Sequence, residues 1–362
     1  MASEAEVRGQ VVVGAPVPAP RESRGWLWST LVGLGILALI GILAPLAGDF
    51  GVLRMWTLIV MYIVLAQGWN FIGGFVGYAA FGNVVFFGIG AYSVGIFLLN
   101  GKPFLLGVAA GFVAAGLFAF LLGLPVLRLR GHYFAIATLG IAEALGEFIA
   151  AKDIGGPGGE VSLTPPGGGL GVFTLFFYAF LGLAVLTLLG TTLLTRSRFG
   201  YALVAIRENE EAAESLGIAT YWYKVGAFVL SALPTAIAGG LWAYWSLGFE
   251  PGGEGGAFDV NISVAMVLMT FLGGAGTIVG PVLGAIIIEW LDLQTTLSAT
   301  QIHGPLLGLL IVLVTLFLPQ GLIRLVQELV PGASGTGERL SWSAQLRRGM
   351  RRVRRFIAAN GV

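Results

Sequence analysis

The chain has 362 residues, of which 56% are hydrophobic and only 11% are charged. Because a typical soluble domain is about a quarter charged, this composition excludes a soluble protein that covers itself with polar groups. The net charge of +1 is close to neutral, yet it hides a strong segregation of basic residues along the chain. Cysteine is absent and the two histidines are far apart, so we predict neither a disulfide framework nor a metal site.

Residues 1–25 are rich in Val, Ala, Pro and Gly and are predicted to be a disordered cytoplasmic leader. The apolar run that follows, 26–48, is longer than the core of a secretory signal and is interpreted as a retained span. Continuous runs of this kind do not alternate with polar residues, as the strands of a membrane barrel would. The chain is therefore predicted to be an all-α, polytopic helical membrane protein.

Eight to ten membrane spans are predicted. The ten candidate segments lie at 26–47, 52–72, 79–98, 104–126, 132–150, 171–194, 225–247, 259–275, 278–292 and 305–322. With the N-terminus in the cytoplasm, only Arg54, Lys102 and Lys152 of the twenty basic residues fall outside. This bias predicts that both termini are cytoplasmic and that the number of spans is even.

A cytoplasmic loop at 195–224 interrupts the predicted transmembrane domain, which spans residues 26–322. Drawn as one helix, this loop has a face of small and apolar residues, consisting of Ala202, Ala205, Ile206, Asn209, Ala212, Ala213 and Leu216. The opposite face carries the charges, with Arg207 and Glu211 spaced to pair. Gly217 is predicted to end the helix in a left-handed conformation. Leu203 and Val204 lie among the charges, where an incoming partner could bury them.

By composition alone this helix is either a solvated loop or a docking surface. The run "EAAESLG" (211–217) matches the E-A-A-x-x-x-G signature of ABC importer permeases, whose cytoplasmic helix docks in a groove of the ATPase subunit. Further blocks resemble the M-type permease subunit of branched-chain amino acid ABC importers in that family's order, including "LRLRGHYFAIATLG" (127–140), "FGYALVAIRENEEAAESLGI" (199–218) and "FLGGAGTIVGPVLGA" (271–285). The resemblance covers about residues 50–325. The run "GYAAFGN" (77–83) departs from the family's usual G-Q-x-S-L-G-H type of block.

The resemblance implies a permease subunit in a bacterial or archaeal cytoplasmic (inner) membrane, not an enzyme. Its implied partners are a homologous second permease, two ATPase subunits and an external solute-binding protein. The residues implied in ATPase coupling are Arg207, Glu208, Glu210, Glu211, Ala212, Ala213, Glu214 and Gly217. Because no G-x-x-x-x-G-K-[ST] motif occurs in the chain, we expect no cofactor here and ATP on the partner subunits.

Glycine interrupts two apolar segments, one in each half of the chain, at 71–82 and 271–284. Paired breaks of this kind indicate a solute site near the membrane midplane, and close helix packing through small residues is the competing explanation. The candidate pathway residues are Gly73, Gly74, Gly77, Asn83, Gly273, Gly274, Gly276 and Gly280.

Four acidic residues lie within or near the predicted spans. Glu143 and Glu147 are spaced to share one helix face, and Glu289 and Asp292 lie near the end of the ninth segment. Ionisable groups at membrane depth are functional candidates, with plain solvation at the interface as the alternative. His132 is interpreted as interfacial. The loop at 155–171 is either a flexible connector or a rim that contacts an external partner.

The tail at 323–362 is predicted to be a basic amphipathic helix on the cytoplasmic membrane surface. Its arginines, which we expect to bind lipid and not nucleic acid, are Arg347, Arg348, Arg351, Arg352, Arg354 and Arg355.

Three functions remain open at this stage. The first is an ABC permease for branched-chain or related small amino acids, and the second is a urea or short-amide permease of similar sequence. The third is an ion-coupled secondary transporter that would use Glu143 and Glu147.

Overall fold

The computed structural model describes residues 25–46, 49–164, 170–253, 255–297 and 322. This part of the chain is built of helices. They are α1 (Gly25–Leu46), α2 (Phe50–Trp69), α3 (Val84–Leu99), α4 (Phe104–Val126), α5 (His132–Ala151), α6 (Leu170–Arg196), α7 (Arg198–Glu208), α8 (Glu210–Ser215), α9 (Thr220–Ser246), α10 (Val260–Gly273) and α11 (Gly280–Leu297). A π-helix, Asn70–Val76, continues α2, and a short 3-10 helix covers Pro157–Gly159.

Six helices of the described residues are long and apolar enough to cross a membrane. They are Trp26–Leu46, Phe50–Val76, Phe104–Val126, His132–Ala151, Gly171–Arg196 and Thr220–Ser246. The prediction of an all-α polytopic membrane protein is therefore confirmed. The leader before Gly25, the tenth predicted segment up to residue 321 and the basic tail with its arginines lie outside the described residues.

The two ends of the helix bundle carry different secondary-structure elements. At one end, β1 (Val161–Ser162) pairs antiparallel with β2 (Gly248–Phe249), and we call this the strand end. At the other end lie α7 and α8, and we call this the loop end. The helices alternate between the two ends. For example, the start of α1 meets the finish of α6 at the loop end, where Arg196 stacks on the ring of Trp26.

The predicted span at 79–98 is wrong at its first residues, whereas the predicted span at 259–275 agrees with α10 to within two residues. The third helix begins only at Val84, because Gly77 ends the π-helix with φ of 83° and residues 77–83 form no regular structure. Two side chains satisfy backbone groups of this segment, since Trp69 Nε1 donates to the Ala80 carbonyl and the Phe81 amide donates to Thr138 Oγ1. Residues 77–83 are as apolar as the helix that follows, so composition could not show where the irregular segment ends and α3 begins.

The starts of α3 and α10 meet inside the bundle. The backbone amide of Val84 donates to Ser263 Oγ at 2.9 Å, and both residues are fully buried. Asn83, just before α3, is also fully buried beside Ser231, which lies in the middle of α9. Both α3 and α10 are shorter than a full span. The α3 helix begins among buried residues, whereas α10 begins beside exposed Asn261.

Glycine allows α3 and α9 to touch along their backbones. A Cβ on Gly239 would overlap the carbonyl oxygen of Phe87, and a Cβ on Gly90 would overlap that of Ala236. The same close approach continues to α4, where a Cβ on Gly107 would lie 2.9 Å from the Val94 Cα. Side chains are thus excluded from the centre of the α3, α4 and α9 contact, and packing between backbones replaces them.

We predict that Gly239→Val destabilises the bundle while Gly190→Val does not. Overpacking a tight contact costs about 1–3 kcal/mol, whereas a Cβ on Gly190 meets no atom within 4 Å. The test is the apparent melting temperature of each detergent-solubilised variant, followed by its monodisperse fraction after heating. Equal melting temperatures for the two variants would contradict the close α3 to α9 packing.

Candidate functional site

The predicted loop helix is two helices, so the single helical wheel is wrong. Asn209 separates α7 from α8 with an extended backbone, at φ −161° and ψ 106°. Its side chain accepts a hydrogen bond from the Ala212 amide at 3.0 Å and so caps α8. Asparagine competes for backbone groups in this way, which favours a cap over a helix interior. Leu203, which was predicted to lie among the charges, is fully buried, and Leu216, which was predicted on the small and apolar face, is 83% exposed.

Gly217 ends α8 as predicted. It has φ of 83°, its amide bonds to the Glu214 carbonyl at 2.9 Å, and the Ile218 amide bonds to the Ala213 carbonyl at 3.1 Å. This left-handed termination satisfies the last carbonyls of the helix. A Cβ on Gly217 would meet no atom within 4 Å, so the outer surface at this turn is open.

The outer surface of α8 mixes acidic and apolar groups. We define the α8 face as Glu211, Ala212, Ser215 and Leu216, all of which are exposed. Exposed Glu214 lies beside it and accepts from Thr220 Oγ1 at 2.7 Å. On α7, Glu208 and Val204 are also exposed, in agreement with the prediction for Val204, whereas Leu203 is unavailable to any partner.

Glu210 points inward, unlike its neighbours. One carboxylate oxygen accepts from Lys224 Nζ at 2.7 Å, and the other accepts from the Tyr78 hydroxyl at 2.9 Å. Lys224 Nζ also donates to the Tyr78 hydroxyl at 3.1 Å, and Arg130 lies 3.5 Å from the carboxylate. We call these four residues the Glu210 cluster. It fastens α8 to α9 and to the irregular segment 77–83.

The Glu210 cluster keeps its carboxylate charged. Burial by itself would raise the pKa of Glu210, but hydrogen bonds from Lys224 and Tyr78 outweigh burial and hold the pKa below its usual range. Lys224 is only 4% exposed, so it lacks the water that would otherwise solvate an ammonium group. Each charge therefore depends on the other for compensation.

Arg207 is exposed in part, but its guanidinium reaches the helix bundle, and it does not pair with Glu211. Its Nη1 atom donates to the Gly74 carbonyl at 2.6 Å, at the end of the π-helix. A Cβ on Gly77 would lie 3.2 Å from Arg207 Cγ, so the side chain rests on this turn.

The structure brings the two glycine-interrupted segments together at the loop end. Asn70 Nδ2 donates to the Thr277 carbonyl at 2.9 Å, and its Oδ1 atom accepts from the Gly276 amide at 2.8 Å. Gln67 Nε2 adds a bond of 2.6 Å to the Ile278 carbonyl. We call this set of contacts the glycine junction.

The candidate pathway glycines take part in these close contacts. A Cβ on Gly74 would overlap Asn70, one on Gly73 would overlap the Trp69 ring, and one on Gly273 would overlap the Gly280 carbonyl. Gly274 and Gly276 have positive φ, 125° and 77°. Close packing thus accounts for these glycines in this conformation, and pathway lining stays a prediction. Asn83 differs, since its buried Oδ1 has no hydrogen-bond partner among the described residues.

The predicted acids fall into two groups. Glu143 and Glu147 line one cavity of about 270 Å³ at the start of α10, together with Asp259 and Asn261. Glu289 is buried within α11, with 7% exposure. His132 begins α5 and is exposed. Nowhere in the described part of the chain do three potential metal ligands cluster.

Comparison with known proteins identifies the family. Residues 51–316 match the family described as branched-chain amino acid transport system / permease component. The chain belongs to this family. The permease is 32% identical to the high-affinity branched-chain amino acid transport system permease protein LivM of Escherichia coli (strain K12), over 82% of this chain and 75% of that protein.

One further relative carries the same substrate in its name, and another carries a different one. It is 30% identical to LivM of Salmonella typhimurium (strain LT2), over 83% of this chain and 76% of that protein. It is also 30% identical to the autoinducer 2 import system permease protein LsrC of Salmonella paratyphi B, over 52% of each. No solved structure matches the chain. The relatives are transport permeases and not enzymes, as predicted.

Sequence reasoning missed the partners of Glu210 in this permease. Tyr78 lies 132 positions before Glu210 in the sequence, within a glycine-rich segment that was interpreted as a break in a span. Lys224 lies only 14 positions after Glu210, but it was counted only among the basic residues that set the orientation. The one local signal was a lysine placed inside the first turns of an apolar helix. Such a lysine needs an acidic partner if it is buried.

We predict that Lys224→Met loosens α8. Losing a hydrogen bond to a charged group costs about 1.5–3 kcal/mol, so amide exchange in 210–217 should accelerate about tenfold or more. The measurement is hydrogen–deuterium exchange of the purified permease. Because the pKa of Glu210 lies below its usual range, protection in the wild type should hold at neutral pH and be lost as pH falls through that lowered pKa.

Arg130→Met is the matched control. Its side chain is 60% exposed and its ion pairs at 3.5 and 3.9 Å are solvent-screened, so we expect less than about 1 kcal/mol. The double variant Glu210→Gln with Lys224→Met should exchange more slowly than Lys224→Met alone, because no uncompensated carboxylate remains. Unchanged exchange in Lys224→Met would exclude the Glu210 cluster as the fastening of α8.

Proposed function

We propose that this chain is the permease subunit of an ATP-driven importer of branched-chain amino acids. The observation that carries the proposal is the 32% identity to the Escherichia coli branched-chain amino acid permease over 82% of the chain. The matches to autoinducer 2 permeases cover about half of the chain and support the same architecture with another solute. A urea or short-amide substrate is the alternative within the family.

We further propose that the protein lies in a bacterial or archaeal cytoplasmic (inner) membrane, with eight to ten spans and both termini in the cytoplasm. The loop end is then cytoplasmic and the strand end is external. Basic residues support this orientation, because Arg128, Arg130 and Arg196 lie at the loop end, whereas Arg54 lies at the strand end. The tail, with Arg347 to Arg355, would lie on the cytoplasmic lipid surface.

The α8 face is the proposed docking surface for an ATPase subunit. It is exposed, it combines the acid Glu211 with an apolar side chain at Leu216, and it lies at one end of the bundle beside exposed Glu214. Arg207, Glu210 and Ala213 support this face from within. Two ATPase subunits would hold the ATP, and this chain would need no cofactor. A homologous second permease would complete the pathway, and an external binding protein would deliver the solute at the strand end.

An ion-coupled secondary transporter is the second candidate. The cavity shared by Glu143, Glu147 and Asp259 favours it, since carboxylates in a membrane protein can carry protons or cations. Both glutamates are exposed, however, which is also what simple solvation at the external surface would give.

We predict opposite labelling of cysteines placed at the two ends. The natural chain has no cysteine, so Ser215→Cys on α8 and Ser162→Cys on β1 each introduce a single exposed thiol. In intact spheroplasts, a membrane-impermeant maleimide should label Ser162→Cys alone. Inside-out vesicles should give the reverse pattern. Labelling of Ser215→Cys in spheroplasts would overturn the proposed orientation.

We predict that Glu211→Lys abolishes association with the ATPase subunit and ATP-dependent leucine uptake. The Glu211 side chain is 85% exposed, and reversal would set a lysine beside Arg130, turning an acidic docking surface basic. Co-purification with the ATPase subunit and uptake by proteoliposomes of the whole complex are the measurements. Glu160→Lys, an exposed acid at the strand end, is the matched control and should leave ATPase association intact.

Three outcomes would redirect the proposal. Full association of Glu211→Lys would show that the ATPase docks elsewhere. Uptake of urea in preference to leucine would select the alternative substrate. Solute accumulation by the chain alone on an ion gradient would select the secondary transporter.

A further inference from the structure

We infer that Arg207 is a positioning residue that carries motion of α7 and α8 to the glycine junction. It would act within the permease and not as a contact with the ATPase. The inference rests on the proposed function, since it assumes that an ATPase moves α8.

Arg207 lies beside both glycine-interrupted segments, near the end of the π-helix and near the turn from α10 to α11. Its guanidinium donates to the Gly74 carbonyl of the π-helix at 2.6 Å. A Cβ added to Gly276, in the turn from α10 to α11, would overlap Arg207 Nη1. One side chain from α7 thus touches a residue from each half of the chain.

The chemistry of this contact suits an arginine. The last carbonyls of a helix lack partners within the helix, and the helix dipole favours a cation at that end. In the π-helix the Ile72 carbonyl accepts from the Tyr78 amide, and the Gly74 carbonyl accepts from Arg207. A planar guanidinium with several donors can hold such a carbonyl while its stem lies on Gly77.

The glycine junction is held together independently of Arg207. Asn70 bonds to both Thr277 and Gly276, and Gln67 bonds to Ile278. Thr191 Oγ1 in turn donates to Gln67 Oε1 at 3.1 Å, which anchors the junction to α6. Removing Arg207 should therefore leave the two segments joined to each other while removing their hydrogen bond to α7.

The Glu210 cluster gives α8 a second attachment, at Tyr78. Tyr78 begins the irregular segment that leads to the buried start of α3. A displacement of α8 would thus pull on the segment after the π-helix, and a displacement of α7 would pull on the π-helix itself. Glu211 of the α8 face is exposed to the ATPase and has only a long, solvent-screened pair with Arg130, whereas Arg207 and Glu210 make short hydrogen bonds within the chain.

The test compares Arg207→Met with Glu211→Lys in the complete reconstituted complex. Arg207→Met should keep ATPase association at the wild-type level while the amount of leucine imported per ATP hydrolysed falls about tenfold. Arg207→Lys should recover part of this ratio, because it restores a donor. A purely structural role would lower yield without changing the ratio in the complexes that remain.

A cysteine pair provides a second measurement that does not depend on the folding of Arg207→Met. A Cβ on Gly77 would lie 3.8 Å from the Arg207 Cβ, which is close to the spacing of a disulfide. In the naturally cysteine-free chain, Gly77→Cys with Arg207→Cys should couple transport to hydrolysis when oxidised and lose coupling when reduced. Because Gly77 has φ of 83°, a cysteine there is strained in both redox states, and the oxidised and reduced protein are therefore compared with each other. Gly77→Cys alone should show no redox dependence.

Two results would overturn the inference. A wild-type ratio of transport to hydrolysis in Arg207→Met would show that Arg207 transmits nothing. Loss of ATPase association in Arg207→Met would make it a docking residue instead. Failure of the proposed function would look different, because then the wild-type complex itself would show no ATP-dependent uptake.

Discussion

The structure depends on satisfying backbone hydrogen bonds where the chain leaves helical geometry inside an apolar bundle. In hydrocarbon an unpaired amide or carbonyl costs several kcal/mol, so irregular backbone survives only where protein groups supply partners. Trp69 and Thr138 supply them for residues 80 and 81, and Ser263 supplies one for the first amide of α3. Asn70 does the same for the turn between α10 and α11. A few polar side chains therefore determine where the apolar helices break.

This dependence explains which parts of the fold could be predicted. The bounds of α4 agree with the predicted segment 104–126, because polar residues on both sides of a continuous apolar run mark where the helix begins and ends. The start of α3 could not be found in this way, since residues 77–83 are as apolar as the helix that follows. Their partner Thr138 is 57 positions distant, and no local pattern reveals it. Glycine spacing indicated the two interruptions, but not that they meet each other at one junction.

The position of the loop and its glycine terminus were predicted correctly, but its faces only in part, since Leu203, Glu210 and Leu216 lie on sides that were not predicted. The error came from Asn209, whose side chain caps a new helix instead of continuing the old one. That break rotates α8 relative to α7, so neighbouring glutamates separate. Glu210 turns toward Lys224, and Glu211 turns toward solvent. The acidic residues of the loop, which look alike in the sequence, therefore divide into Glu210 on the inner side and Glu211 on the outer side.

The division of the charges also explains how α8, a short helix, can be fixed to the bundle and still expose a surface for a partner. Six residues supply little helical stability of their own, because short isolated helices are marginal in water. The order of α8 must then come from its cap at Asn209, its termination at Gly217 and the inward bonds of Glu210. Because the cap and the termination act at the two ends of α8 and Glu210 bonds on its inner side, the outer side can remain apolar and acidic without loss of order. Anchoring on the inside is what leaves the α8 face exposed.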